Sequence, residues 1–135
     1  MNAVLKKKLN ILVQLAAVDG SFVQKEKSLI KSICERHGLT KKDLDEIMIS
    51  PEPIGSLGAL SYRTILEYMS ESLLLMLVDG KILQSEVLFC EDIGLRLGFT
   101  KATIDELIDK LRNRIDIDEN SLKKLVASLP HPLRA

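Results

Sequence analysis

Residues 15–26 read LAAVDGSFVQKE, and residues 75–86 read LMLVDGKILQSE. An apolar stretch ending in Val-Asp-Gly, with Gln-x-Glu a few residues on, thus occurs twice at a constant offset of 60. The register extends without a gap over residues 15–48 and 75–108. It pairs Ile33 with Ile93, Arg36 with Arg96, Gly38 with Gly98, Thr40 with Thr100 and Asp45 with Asp105. Most remaining pairs match apolar to apolar, among them Phe22 with Ile82, Leu29 with Phe89 and Leu44 with Ile104. Chance would match about one position in sixteen at typical residue usage, so one structural unit is present twice.

Each unit reads as helix, tight turn, helix, short turn, helix. Leu5, Leu9, Leu12 and Ala16 share one face of a helix over residues 2–18. Ile65, Met69, Leu73, Met76 and Leu77 do the same over 61–78. Gly20 and Gly80 stand where such helices stop, because glycine adopts the left-handed conformation cheaply. The second helices carry Leu29, Ile30, Ile33 and Cys34, and Phe89, Cys90 and Ile93, and end at Gly38 and Gly98. Thr40 and Thr100 have the chemistry of N-caps, with Asp43 near the third helical position of the first copy. The third helices carry Leu44, Ile47 and Met48, and Ile104, Leu107, Ile108 and Leu111.

No segment sustains the period-two alternation of a strand. The expectation is an all-α fold of about seven helices in a single domain spanning 1–135, with two tandem helix-turn-helix repeats packed in pseudo-two-fold symmetry. Repeat one covers 2–49 and repeat two 61–115. Two prolines and two glycines make 50–60 a linker with room for one short helical turn. A C-terminal helix and tail occupy 116–135, the helix near 120–128 and stopped by Pro130 and Pro132.

Composition agrees. Hydrophobic residues make up 46% and charged residues 28% of 135, enough for one buried core and a solvated surface. Aromatics are only 4% and Trp is absent, so the core is aliphatic. Nineteen basic residues balance nineteen acidic ones, which removes the electrostatic case for nucleic acid as a partner. Lys6, Lys7 and Lys8 form the one basic run and read as a solvated helix face. Cys34 and Cys90 form no Cys-x-x-Cys pair and read as small core side chains in a reducing compartment. The lysine run and the apolar residues after it superficially resemble a signal peptide, but their second half recurs in repeat two and belongs to the fold. The longest apolar run, 73–78, is far below the ~18–20 residues that span a bilayer. A cytoplasmic protein without direct membrane insertion is expected.

The duplicated Asp-Gly…Glu turn is the one candidate ligand site. It matches the second half of a calcium-binding EF-hand loop. The first half fails: the positions that should supply oxygen ligands hold Leu15 and Ala17 in one copy and Leu75 and Leu77 in the other. A second arrangement brings Asp19, Glu26, Asp79 and Glu86 together across the pseudo-symmetry axis as four carboxylates, a donor set that suits a hard divalent cation. The plainer alternative makes Asp-Gly the turn itself, with Glu26 and Glu86 stabilising the positive ends of the helices that follow. Both readings stand on the sequence alone.

Ala16-Ala17-Val18-Asp19-Gly20 through Glu26, followed by an apolar helix and Gly38-Leu39-Thr40, resembles the TerB-like family over roughly residues 5–111. These are all-helical domains first associated with bacterial tellurite resistance and also found attached to DnaJ-like membrane co-chaperones. The resemblance implies a bacterial, non-enzymatic, stress-response module that mediates protein interaction. It implies a membrane-associated protein partner and a metal held by acidic residues, at positions that Asp19, Glu26, Asp79 and Glu86 match. The chain shows no J domain and no membrane-spanning stretch, so the co-chaperone role does not follow.

No catalytic constellation stands out. His37 ends a helix and has Leu97 as its repeat partner, so it reads as a core-edge or capping residue. His131 in the Pro-rich tail reads as solvated. No His-Glu-x-x-His, phosphate loop or nucleophile elbow occurs. The alternative to a metal-tuned module is a metal-independent helical adaptor or homodimer scaffold with no tellurite role. Leu57, Leu60 and Phe99 either remain exposed for a dimer or finish the core.

Overall fold

A computed structural model describes residues 2–18 and 24–134. Among them run seven helices and no strand: α1 (Ala3–Ala17), α2 (Gln24–Arg36), α3 (Lys41–Ile49), α4 (Tyr62–Leu77), α5 (Gln84–Arg96), α6 (Lys101–Leu111) and α7 (Glu119–Ala127). The all-α reading and its helix count hold.

The helix ends follow from local chemistry. Asn2, Ser61, Thr100 and Asp118 each accept a hydrogen bond from the backbone N–H three residues on, opening α1, α4, α6 and α7. Thr40 and Asp43 form a reciprocal capping box at α3, with Thr40 N donating to Asp43 at 3.0 Å and Asp43 N to Thr40 at 3.3 Å. Gly38 and Gly98 close α2 and α5 with φ of 69° and 99°. The next residue then folds back, Leu39 N donating to Cys34 O and Phe99 N to Gly94 O. Gly20 lies outside the described residues, but Gly80 ends α4 with φ 81° as its position suggested.

Helices α1 and α4 pack against each other at the centre, with α2 on α1 and α5 on α4. Leu9, Leu12 and Leu15 of α1 and Ile65, Met69, Leu73 and Met76 of α4 are fully buried. The repeat symmetry does not extend to the third helices. Helix α3 packs on α1, whereas α6 packs on α5, and α4 is covered by α7 through Leu122 and Val126.

One position supplies a physical reason for this divergence. A Cβ added to Gly94 would lie 2.5 Å from Ile104 Cγ1, so the bare α5 backbone lets α6 seat directly upon it. The repeat partner of Gly94 is Cys34, whose buried side chain fills that place on α2. Leu44, the partner of Ile104, is accordingly only half-buried. Met48 is 39% exposed where its counterpart Ile108 is 1% exposed.

Two sequence expectations are corrected here, for the lysine run and His131, and one open choice, for Leu57, Leu60 and Phe99, is resolved. The lysine run is not wholly a solvated face: Lys8 points into the junction of α1 with α4 and is buried. Leu57 and Phe99 finish the core, and Leu60 packs partly against it, so they are not an exposed dimer surface. His131 is half-buried, not solvated. Its Nε2 lies 2.7 Å from Leu97 O, its Nδ1 accepts from Leu133 N at 3.0 Å, and its ring packs edge-on to Phe99 at 4.7 Å. The tail is thereby folded back over Gly98, where a Cβ would lie 2.8 Å from the imidazole.

Candidate functional site

The duplicated turns come first. Asp19 lies outside the described residues. Asp79 Oδ1 accepts from Lys81 N at 3.1 Å, a short loop that lets an aspartate stabilise its own turn. Glu86 sits at the third position of α5, and its carboxylate accepts from Leu83 N at 3.0 Å. This is the acidic half of a capping box, which the Leu83 side chain has no polar atom to complete. Glu26 holds the equivalent third position of α2, and both glutamates are nearly fully buried, at 3% and 2% exposure. Among the described residues no three His, Cys, Asp or Glu side chains gather in a way that could hold a metal ion. Asp79 and Glu86 serve the turn and the cap directly, as the plainer reading expects.

A second cluster escaped the sequence reading. Lys8 Nζ lies 2.9 Å from Glu67 Oε1 and 2.9 Å from Glu71 Oε2, with His37 Nε2 at 3.4 Å. Arg36 extends the chain of charges, 3.8 Å from Glu71 and 3.4 Å from Glu119 on α7. Burial pushes the Glu71 carboxyl above its ordinary value, against the pull of Lys8. Burial opposes ionisation of Glu67 too, but there the Lys8 hydrogen bond and charge prevail and hold its carboxyl below the ordinary value. The signal lay in α4 itself: Glu67 and Glu71, one turn apart on an apolar helix, need a cation from a neighbouring element.

The third feature is a pocket of about 440 Å³ between α1, α3 and the segment after α3, a volume within the ordinary range for ligand sites. Its wall is irregular chain held by side chains. Asn10 donates to Glu52 O at 2.8 Å and accepts from Glu52 N at 3.0 Å. Gln14 adds a bond to the same carbonyl, and Arg96 binds Ile54 O at 2.7 Å and Gly55 O at 3.2 Å. Three side chains thus satisfy backbone groups that a helix would have paired internally, and the segment is fixed without secondary structure of its own. Ile11, Ile47 and Leu57 form the apolar floor. Lys6 and Lys7 edge it from α1, Asp43 and Glu46 from α3. This is the segment whose prolines and glycines mark it as a linker in the sequence.

The thiols offer no nucleophile. Burial, then the nearby Asp43 charge, push Cys34 up, and burial with the Glu86 and Glu91 charges pushes Cys90 up strongly. Both therefore remain protonated core side chains. Among the described residues no helix is long and apolar enough to cross a membrane. No family model matches the chain, and neither a curated protein nor a solved structure is found similar to it.

Proposed function

We propose that this chain is a non-catalytic, TerB-like helical module that mediates protein interaction, with the pocket between α1 and α3 as its working surface. The observation that carries the reading is that this pocket is preformed: Asn10, Gln14 and Arg96 pin an irregular wall over an apolar floor. Three of the large hydrophobic side chains left exposed, Val4, Met48 and Ile49, are direct chain neighbours of its lining residues. Apolar surface left exposed on both helices that wall the pocket favours association over solvation. The resemblance to TerB-like domains supplies the context: bacterial stress response, tellurite resistance and a membrane-associated partner.

A photo-crosslinking residue placed at Lys7 tests the reading in cells that express the chain, with the same residue at Lys31, on the polar face of α2, as control. Specific crosslinks to protein from position 7 and none from position 31 are expected. An empty result at both positions would contradict an interaction surface here.

A second reading adds a divalent cation at the duplicated turns. It is favoured by the recurrence of the Asp-Gly…Glu turn at repeat-equivalent positions, which gives each copy the same pair of carboxylates. Asp19 and Asp79 would complete the donor set. Titrating metal-stripped protein with Ca²⁺, Mg²⁺, Mn²⁺ and Zn²⁺ while following Tm tests it. One ion at a hundred times its Kd would stabilise by about 2.7 kcal/mol, an effect lost in Asp79→Asn. A flat response to all four at millimolar levels leaves a metal-independent adaptor.

A further inference from the structure

We infer that the occupant of the α1–α3 pocket is a second copy of this chain, forming a two-fold dimer; this rests on the interaction reading above and names its partner. Of the five charged residues that line the pocket, two that take no part in an ion pair or cap among the described residues stand on opposite walls. Lys7 stands on the α1 wall and Glu46 on the α3 wall, both exposed and neither in an ion pair among the described residues. Lys6 on the same basic wall is already paired with Glu52 at 3.2 Å, and Asp43 is engaged in the α3 cap.

A face that is basic along one edge and acidic along the other is complementary to itself. A two-fold axis lying along the groove sets α1 of one copy over α3 of the other, so Lys7 and Glu46 pair twice across one interface. That is the defining property of an isologous contact.

The apolar surface has the matching form. Ile49 is 80% exposed beside the lining residue Ser50, and Val4 is exposed beside the lining residue Ala3. Large apolar side chains are thus exposed on both helices that wall the pocket. Net charge does not oppose the pairing, because basic and acidic residues balance at nineteen each. A standard interface takes about 800 Å² from each partner, roughly a tenth of the 7350 Å² that one copy exposes.

The test is sedimentation velocity of the purified chain from about 1 μM to about 1 mM, the range in which modest interfaces associate. Reversible dimerisation is expected. Ile49→Asp should weaken it by at least about tenfold, while Leu88→Asp, on the outer face of α5, should not change it. Lys7→Glu alone and Glu46→Lys alone should each weaken self-association, because like charges then meet twice. Mixing the two variants should restore dimers, all of them mixed, because both pairs are attractive again. A chain that stays monomeric to the highest concentration overturns the inference, as does a dimer indifferent to the charge swaps. If the Lys7 crosslinks described above join a different protein, the interaction reading stands and the dimer falls.

Discussion

The two repeats begin as copies and end as different structures. In each, a long apolar helix leads through Asp-Gly to a second helix closed by a glycine, and in both the first two helices pack in the same way. They part at the third. Helix α6 lies on α5 because Gly94 offers no side chain against Ile104, whereas Cys34 occupies that place on α2 and α3 packs on α1. The divergence has a consequence for surface chemistry: in repeat two α7 covers α4, while in repeat one a pocket lies between α1, α3 and the segment that follows α3. One missing Cβ in a duplicated unit thus goes with a packing surface in one copy and an open pocket in the other.

The largest expected effect sits where the copies meet. Positions 8 and 68 are repeat partners, and each reaches across to the opposite central helix. Lys8 meets Glu67 and Glu71, while the Tyr68 hydroxyl donates to Val4 O. Lys8→Met would leave Glu71 buried with only the distant Arg36, at a cost of about 3–5 kcal/mol in chemical denaturation. Tyr68→Phe removes one neutral hydrogen bond and should cost about 1 kcal/mol. Equal losses at the two positions would show that the Lys8 cluster is solvated in solution and that the two crossings are equivalent.

A smaller difference lies in the caps of the third helices. The Asp43 carboxyl is held below its ordinary 3.8 by the Thr40 N–H and then by the Thr40 hydroxyl. The stabilisation it gives is therefore present above the unfolded-state value and is lost as pH falls through the lower folded one. Its repeat partner is Thr103, in a cap made with Thr100 that has no titrating member. In an acid titration followed by amide chemical shifts, the Asp43 N–H should move with a midpoint below 3.8. The Thr103 N–H should not follow it. Asp43→Asn should abolish the first transition. A common transition in both amides would mean global unfolding, not loss of one cap.

What the sequence disclosed and what it concealed divide along the same lines. Helix existence, the caps at Thr40 and Thr100 and the glycine stops at 38, 80 and 98 were legible because each depends on a few neighbouring residues. The distant partners of Lys8, Asn10, Arg96 and His131, which are Glu67, Glu52, Ile54 and Leu97, were not, because each of these lies more than thirty residues away in the chain. Whether Leu57 and Phe99 face solvent or finish the core was open in the sequence for the same reason: only tertiary packing covers them. Gly94 inside a helical segment, aligned with a side chain in the other copy, was a visible sign that the units differ. The turn carboxylates were legible as positions. Of their roles, only those of Asp79 and Glu86 have a described geometry, a turn and a cap.

The claim that Gly94 and Ile104 decide the seating of the third helix can be tested by one double-mutant cycle, measured by denaturant unfolding. Gly94→Ala alone should destabilise by about 1–3 kcal/mol through overpacking, and Ile104→Ala alone by about 2–5 kcal/mol through the cavity it leaves. In the double variant the new methyl occupies space that the isoleucine has vacated. The account predicts a combined loss smaller than the sum by at least about 1 kcal/mol. Strict additivity would contradict it, because the two positions would then not be in contact and the divergence of the repeats would need another cause.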